Sequence, residues 1–156
     1  MKIILGLFFS LCFFISSQVK SLEKGMWTFV KTDEYCYIGS LATDSDLPPE
    51  KNRGDNYILV YKNIGNPDTI VQIEAGYNYK LSSEIIVTID KGIYEFYTTE
   101  DLPSASWTDE DNKVIFAMKK GLELLVKGES SRGTITNDTY TLKGFTAAYN
   151  KLTADC

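Results

Sequence analysis

The chain contains no histidine, the side chain that serves most often as a general base and as a zinc ligand. Ser-His-Asp and Cys-His catalysis and histidine-based zinc sites are therefore excluded. Carboxylates could still form a glycosidase-like pair, for example among Glu100, Asp101 and Asp109. Polar loops are usually exposed and solvated, so we interpret these three as surface residues. We predict no catalytic residues and no enzyme activity.

Oxygen ligands for a metal ion are also poorly arranged. Asp44 and Asp46 are close together, but the glycine and the distal glutamate of a calcium-binding loop are missing around them. We therefore predict no metal site, and no pattern in the sequence indicates a cofactor.

Arginine is rare in this chain and always precedes glycine. Two of the 16 basic residues are arginines, in Arg53-Gly54-Asp55 and in Ser131-Arg132-Gly133. Arg-Gly-Asp is the tripeptide that integrins bind, but glycine at the start of a strand also permits a tight turn. A guanidinium forms two parallel hydrogen bonds with a carboxylate, which an ammonium group does not. We therefore predict that both segments are structural turns and that both arginines form structural ion pairs there.

The hydroxyl-rich run 130–134 allows two interpretations. Its serines, threonine and arginine could bind an anion, or they could form a turn in which the hydroxyls bond the local backbone. The sequence favours the turn, because strand-like segments flank it on both sides.

The first residues have the composition of a secretory signal peptide. A basic Lys2 precedes an apolar run from Ile3 to Ile15, and small polar residues follow it. We predict a signal peptide over 1–21 and one exported domain over 22–156. Removing Lys2 and Lys20 leaves 14 basic and 21 acidic residues, a net charge of −7. Such a balance argues against nucleic acid as a partner, and no later apolar run is long enough for a membrane span.

Two cysteines, Cys36 and Cys156, remain after the predicted signal peptide, which contains Cys12. In an oxidising compartment the simplest outcome is one disulfide between them. A reactive thiol pair is the alternative, but the Cys-X-X-Cys spacing that lowers a thiol pKa is absent.

These residues must be positioned by strands. Segment 84–90 alternates apolar and polar side chains, Lys91-Gly92 supplies a turn, and 93–98 is the partner strand of a hairpin. Short strands separated by turn residues predict an all-β, antiparallel β-sandwich or β-barrel. Two segments, about 109–120 and 144–154, instead have helical periodicity. We expect Trp27, Trp107 and Phe145 to pack in the core; an aromatic-lined surface groove for a peptide or glycan is the alternative. Further strands are predicted at 27–30, 35–41, 57–61, 69–74, 122–129 and 134–142.

Several blocks of the sequence together resemble the invasion-associated locus B (IalB) family, which comprises exported proteins of Gram-negative bacteria. The blocks cover essentially the whole chain after the predicted signal peptide, and SSRGTITNDTYTLKGFTAA is the most specific of them. The resemblance implies an all-β domain and an envelope location, and in some pathogens an association with entry into host cells. It implies no catalytic residues. The other blocks are Trp27 with Tyr35-Cys36, RGDNYILVY, GYNYKLSSEIIVTIDKGIYEFYTTED, SASWTDEDNKVIFAMKKG and a terminal cysteine.

Three functions are compatible with these observations. The favoured hypothesis is a periplasmic, non-catalytic module that binds an envelope protein or glycan; attachment to the outer membrane and release from the cell are its alternatives in location. The second is a surface adhesin that uses Arg53 and Asp55, and the third is a carboxylate-dependent hydrolase of envelope glycans. The sequence does not specify the ligand or the oligomeric state.

Overall fold

The computed structural model describes residues 21–156, which fold into two antiparallel β-sheets and two helices. One sheet has the strand order β1-β2-β4-β5-β8 and the other β3-β10-β9-β6-β7. The strands are β1 (Thr28–Lys31), β2 (Tyr35–Leu41), β3 (Asp44–Ser45), β4 (Tyr57–Asn63), β5 (Ile70–Glu74), β6 (Ile85–Ile89), β7 (Gly92–Phe96), β8 (Ala105–Trp107), β9 (Glu123–Glu129) and β10 (Ile135–Thr141), and the helices are α1 (Asp111–Lys120) and α2 (Phe145–Asp155).

This architecture confirms the predicted all-β class and selects the sandwich over the barrel. The helices begin and end within two residues of the predicted 109–120 and 144–154. Two short strands, β3 and β8, were not predicted. Segments of two and three residues are too short to show the alternation by which a strand is recognised in a sequence. The two sheets touch at one side, where Tyr97 and Trp107 exchange backbone hydrogen bonds of 2.9 Å.

The core lies between the sheets and is built by alternation along the strands. In β6, Ile85, Val87 and Ile89 are buried while the residues between them are partly exposed. Ile58 and Val60 of β4 are fully buried in the opposite sheet. Burying one such aliphatic side chain contributes about 1.5–3 kcal/mol. The alternation therefore fixes which face of each strand turns inward.

Helix α2 closes the core against β1 and β2. Phe145 is fully buried, and its ring meets the ring of Trp27 edge-on at a centroid distance of 4.8 Å. The indole nitrogen of Trp27 also donates a hydrogen bond to the carbonyl of Thr141, at 3.0 Å. Trp107 departs from the prediction. It is half-buried on the edge strand β8, and within 21–156 it is not part of the core cluster, because an edge strand leaves one side of the side chain open.

A disulfide joins the two ends of the described domain. Cys36 on β2 is bonded to Cys156, 120 positions away in sequence, with a Cα–Cα distance of 5.9 Å. Cys36 is fully buried, and Cys156 follows directly on the last turn of α2, where its backbone amide donates to the carbonyl of Leu152. The bond therefore holds α2 against the sheet.

Neither helix in 21–156 combines the length and the hydrophobicity that crossing a bilayer requires. The predicted signal peptide, apart from Ser21, lies outside the described residues.

Candidate functional site

A buried ion pair between Arg53 and Asp138 joins the loop between β3 and β4 to the middle of β10. Both terminal guanidinium nitrogens donate to the two carboxylate oxygens of Asp138. The same nitrogens also donate to the hydroxyl of Ser45, at 2.9 Å, and to the carbonyl of Ala75, at 3.3 Å. The side chains of Arg53 and Asp138 are only 7% and 5% exposed. This bidentate pair is the structural ion pair that the sequence predicts for Arg53.

The surroundings of Arg53 keep it charged. Burial alone would lower its pKa, but the hydrogen bonds and the charge of Asp138 outweigh burial and raise the pKa above its ordinary value. The ring of Tyr77 adds a cation–π contact at 5.7 Å. Breaking one half of a buried pair costs about 3–5 kcal/mol, because the other charge is left without a partner. Arg53 therefore links the two sheets, through Ala75 on one side and through Ser45 and Asp138 on the other.

The Arg-Gly-Asp tripeptide is not presented to solvent as an adhesive loop. Asp55 is exposed, but the guanidinium of Arg53 points into the protein and is occupied by Asp138, Ser45 and Ala75. A receptor that recognises both side chains could not reach the arginine without breaking these bonds.

The glycine turn predicted at Gly54 is absent. Segment 51–56 has no turn geometry, and Gly54 lacks a positive φ. The restricted position is instead Gly76, which has a φ of +70° and faces Gly54 across the loop. The amide of Gly54 donates to the carbonyl of Gly76 at 2.9 Å, and a Cβ on Gly76 would lie 2.3 Å from the Gly54 carbonyl oxygen. Two backbones cross here, and the sequence does not show which glycine the crossing requires.

The second Arg-Gly segment does form the predicted turn, between β9 and β10. The amide of Gly133, with a φ of +82°, donates to the Ser130 carbonyl at 2.8 Å. The hydroxyl of Ser130 accepts a hydrogen bond of 3.1 Å from the backbone amide of Thr134. The predicted ion pair of Arg132 is not found: its side chain is exposed, and no carboxylate in 21–156 lies within 4.0 Å of it. A carboxylate close to the turn, that of Glu129, instead pairs with Lys80 at 2.9 Å.

Arg53 and Arg132, 79 positions apart in sequence, line one cleft of about 670 Å³. Its walls are the loop 47–53, the segment 77–78, and the β9–β10 turn with the start of β10. Lys51 reaches across the cleft and donates to the hydroxyl of Thr134 at 2.7 Å. Glu50 is the acidic residue in the described lining. Because Asp138 neutralises Arg53, the exposed lining has the two cations Lys51 and Arg132 against one carboxylate, in a protein that is acidic overall.

Asp46 precedes Leu47 of the cleft wall and is bonded to β10. Its carboxylate accepts the backbone amide and the side-chain amide of Asn137, both at 2.7 Å, and these hydrogen bonds lower its pKa. The side chain thereby pins β3 to β10. Asp44 pairs with Thr139 in the β3–β10 ladder, so these two aspartates serve strand pairing.

The carboxylates considered for hydrolysis lie elsewhere. Glu100, Asp101 and Asp109 are all exposed. Asp109 accepts a long hydrogen bond from Tyr97, at 3.4 Å. The neighbouring Asp111 has a raised pKa because it is partly buried, and its carboxylate accepts the amide of Val71 at 2.7 Å. That bond ties the first turn of α1 to β5.

Fold and site together define a class: a disulfide-closed antiparallel β-sandwich with a polar, arginine-lined cleft. The sequence model of the invasion associated locus B (IalB) protein family matches residues 30–153, and the chain belongs to this family. The crystal structure of invasion associated protein b from Bartonella henselae has the same fold. It aligns with a TM-score of 0.61 and 18% identity, over 84% of this chain and 94% of that chain. A comparison with curated proteins found no match.

Sequence reasoning missed the partners that make the site. Asp138 lies 85 residues from Arg53, and Tyr77, which lines the cleft, shares a hydrogen bond of 2.7 Å with Thr136, 59 residues away. One available signal was Asp138 itself, a carboxylate on the inward side of a strand whose alternate residues Thr136, Asp138 and Tyr140 are buried. A buried carboxylate requires a cation.

Proposed function

We propose that this protein is an exported, non-catalytic binding module of the bacterial cell envelope, and that the arginine-lined cleft is its binding site. The observation that carries the proposal is that both arginines of the chain line one cleft, one of them buried as support and the other exposed. Small-molecule and peptide sites are commonly concave, with a few convergent polar groups. The partner we expect is an envelope protein or glycan.

Two observations support export to the periplasm. The disulfide between Cys36 and Cys156 needs an oxidising compartment to persist, and the sequence of 1–21 has the pattern of a signal peptide. Attachment to the outer membrane and release from the cell are compatible with the same observations.

Site-specific photocrosslinking tests the binding site. A photoreactive residue at Ser131, exposed in the cleft, should give a discrete adduct in living cells. The same residue at Lys91, exposed in the β6–β7 turn, is the matched control and should give none. Adducts of equal yield from both positions, or none from Ser131, would contradict the proposed site.

The adhesin alternative is disfavoured by the burial of Arg53, since an integrin-type receptor needs that side chain in solvent. Protease treatment of intact cells separates the alternatives, because a periplasmic protein is protected and a surface adhesin is cleaved. A carboxylate-dependent hydrolase requires two carboxylates that converge on a bound glycan. Replacing Asp109 with asparagine and assaying hydrolysis of cell-wall glycan tests it, and we expect no hydrolysis from either protein.

A further inference from the structure

The cleft contains two groups of polar side chains, and they differ in whether the protein already uses them. Tyr77 and Thr136 bond each other, and the hydroxyls of Ser130 and Thr134 accept hydrogen bonds from within the chain. These side chains form the walls, and their polar groups are already hydrogen-bonded within the protein. They hold the shape of the cleft rather than offering groups to a ligand.

The polar groups of the second set have no hydrogen-bond partner within the described residues 21–156. The side chains of Asn52, Asn78, Ser131 and Arg132 are exposed, line the cleft, and make no hydrogen bonds within 21–156. Lys51 uses one of its three N–H donors in the hydrogen bond to Thr134. The cleft therefore offers a guanidinium fork, the remaining ammonium donors, two amides and a hydroxyl, against the exposed carboxylate of Glu50. Such a set is rich in donors and suits a ligand that is rich in acceptors.

Charge sharpens the ligand class. Donors that are themselves charged form the strongest hydrogen bonds with ionised oxygens, and a guanidinium matches both carboxylate and phosphate geometry. The residues from 22 onward carry a net charge of −7, which repels anions from most of the surface. The pair of exposed cations in the cleft is therefore a local exception that an oxyanion can use.

The aromatic ring of the cleft is not available for stacking on a sugar. Tyr77 has the guanidinium of Arg53 over its ring at 5.7 Å and meets Tyr79 edge-on at 5.4 Å. Recognition must then rest on charge and hydrogen bonds. The volume of about 670 Å³ exceeds what a bare ion needs and suits a small molecule or a terminal group of a larger one. The two amides both donate and accept, as hydroxyl groups of a sugar require.

We propose that the cleft binds an acidic sugar, either a sugar phosphate or a sugar acid, with the oxyanion on Arg132 and Lys51. The sugar hydroxyls then lie against Asn52, Asn78 and Ser131. This inference rests on the proposed binding function and assigns its ligand class. Phosphate and carboxylate share the chemistry of a charged oxygen pair, so the experiment includes both.

Calorimetric titration of the disulfide-bonded protein with matched sugars tests the inference. Glucose 6-phosphate is paired with glucose, and galacturonate with galactose, so that each pair differs in its charged group. We expect the charged member of at least one pair to bind and its neutral partner not to bind. Affinity should fall as salt rises from about 20 to about 200 mM, because exposed charges are screened. R132A and K51A should each weaken binding roughly tenfold or more, as expected when a charged hydrogen bond is lost.

Controls separate this inference from the proposed function. K91A and K143A remove exposed lysines outside the cleft and should leave affinity unchanged. Binding of glucose 6-phosphate alone would identify the oxyanion as a phosphate, and binding of galacturonate alone would identify it as a carboxylate. Equal binding of charged and neutral sugars, or no binding of any sugar while Ser131 still forms its adduct, would overturn the acidic-sugar assignment and leave the binding module standing. No sugar binding together with no adduct would overturn both.

Discussion

Arg53 and Arg132 carry the same charge in opposite surroundings. Arg53 is enclosed by Asp138, Ser45 and Ala75, whereas Arg132 stands exposed at the tip of a hairpin. A buried position needs arginine because its planar fork fills two carboxylate sites at once. An exposed position that touches no partner in the described chain has no such structural requirement. The two arginines therefore differ: Arg53 supports the structure, and Arg132 is the proposed ligand contact.

Replacing each arginine with lysine separates these purposes. R53K keeps the charge but loses the bidentate geometry, so the free energy of unfolding should fall by about 2–4 kcal/mol. R132K, at an exposed site, should change it by no more than about 0.5 kcal/mol. Urea unfolding measures both. A stability loss that is equal in the two variants would remove the distinction.

Gly76 and Gly54 form a second matched pair at the residue scale. In G76A the new Cβ would collide with the carbonyl oxygen of Gly54. The alanine would also have to adopt the left-handed backbone conformation of Gly76. We expect a loss of at least about 2 kcal/mol, since the left-handed conformation alone costs roughly 1–2 kcal/mol. G54A meets atoms at 3.5 Å or more, an ordinary contact, and should be nearly neutral. Thermal unfolding of both variants checks this, and a larger loss in G54A would contradict the geometry.

At the residue scale the sequence predicted what depends on residue type and missed what depends on long-range contact. The scarcity of arginine pointed to an ion pair, and Arg53 forms one. The identity of its partner, Asp138, follows from strand order, which local sequence does not specify. The same limit explains Gly54, since the close approach of two backbones is visible only in three dimensions.

At the scale of elements, alternation carried most of the prediction. Strands of five to seven residues, such as β6 and β10, repeat an inward and an outward side chain often enough to be recognised. Helix α2 was found from the spacing of Phe145, Ala148 and Leu152, of which Phe145 and Leu152 are fully buried. The order of the strands within each sheet was not predicted, because it depends on contacts between segments that are distant in sequence.

Two tyrosines buried at the inner face of the second sheet, one of them on β10, give the fold an alkaline limit. Tyr79 and Tyr140 are 2% and 1% exposed, and burial raises the pKa of both phenols above the ordinary value of 10. The folded state therefore keeps protons that the unfolded state releases above a pH of about 10. Stability is fully present below that pH and falls as pH rises further, by up to about 1.4 kcal/mol per pH unit for each phenol.

Urea unfolding between about pH 9 and pH 11 tests this limit, across the ordinary pKa of tyrosine. Y79F should flatten the decline, because one buried group no longer titrates, and should retain stability at neutral pH within about 1 kcal/mol. Y35F, at a side chain 40% exposed, is the control and should follow the unmodified protein. A decline in Y79F as steep as in the unmodified protein would show that other groups set the alkaline limit.

At the scale of the whole molecule, the disulfide and the proposed binding cleft lie at different ends of the fold. The disulfide ties α2 to β2, whereas the cleft is lined by 47–53, 77–78 and 130–136, and no residue of α2 is in its described lining. Arg53 lines the cleft, and its ion pair with Asp138 links the loop 47–53 to β10 there. The disulfide should therefore govern whether the domain is folded, and the ion pair should govern the shape of the site.

The double variant C36A/C156A tests this division. The bond closes a loop of about 120 residues, and removing it should lower the free energy of unfolding by about 4–5 kcal/mol through the entropy of the unfolded chain. At a temperature where the variant is still folded, Ser131 should crosslink its partner as efficiently as in the unmodified protein, because the cleft makes no use of α2. In R53K, by contrast, crosslinking should fall even under conditions where the protein is folded. If losing the disulfide abolishes crosslinking in a folded protein, the cleft depends on α2 and the two ends of the molecule are coupled.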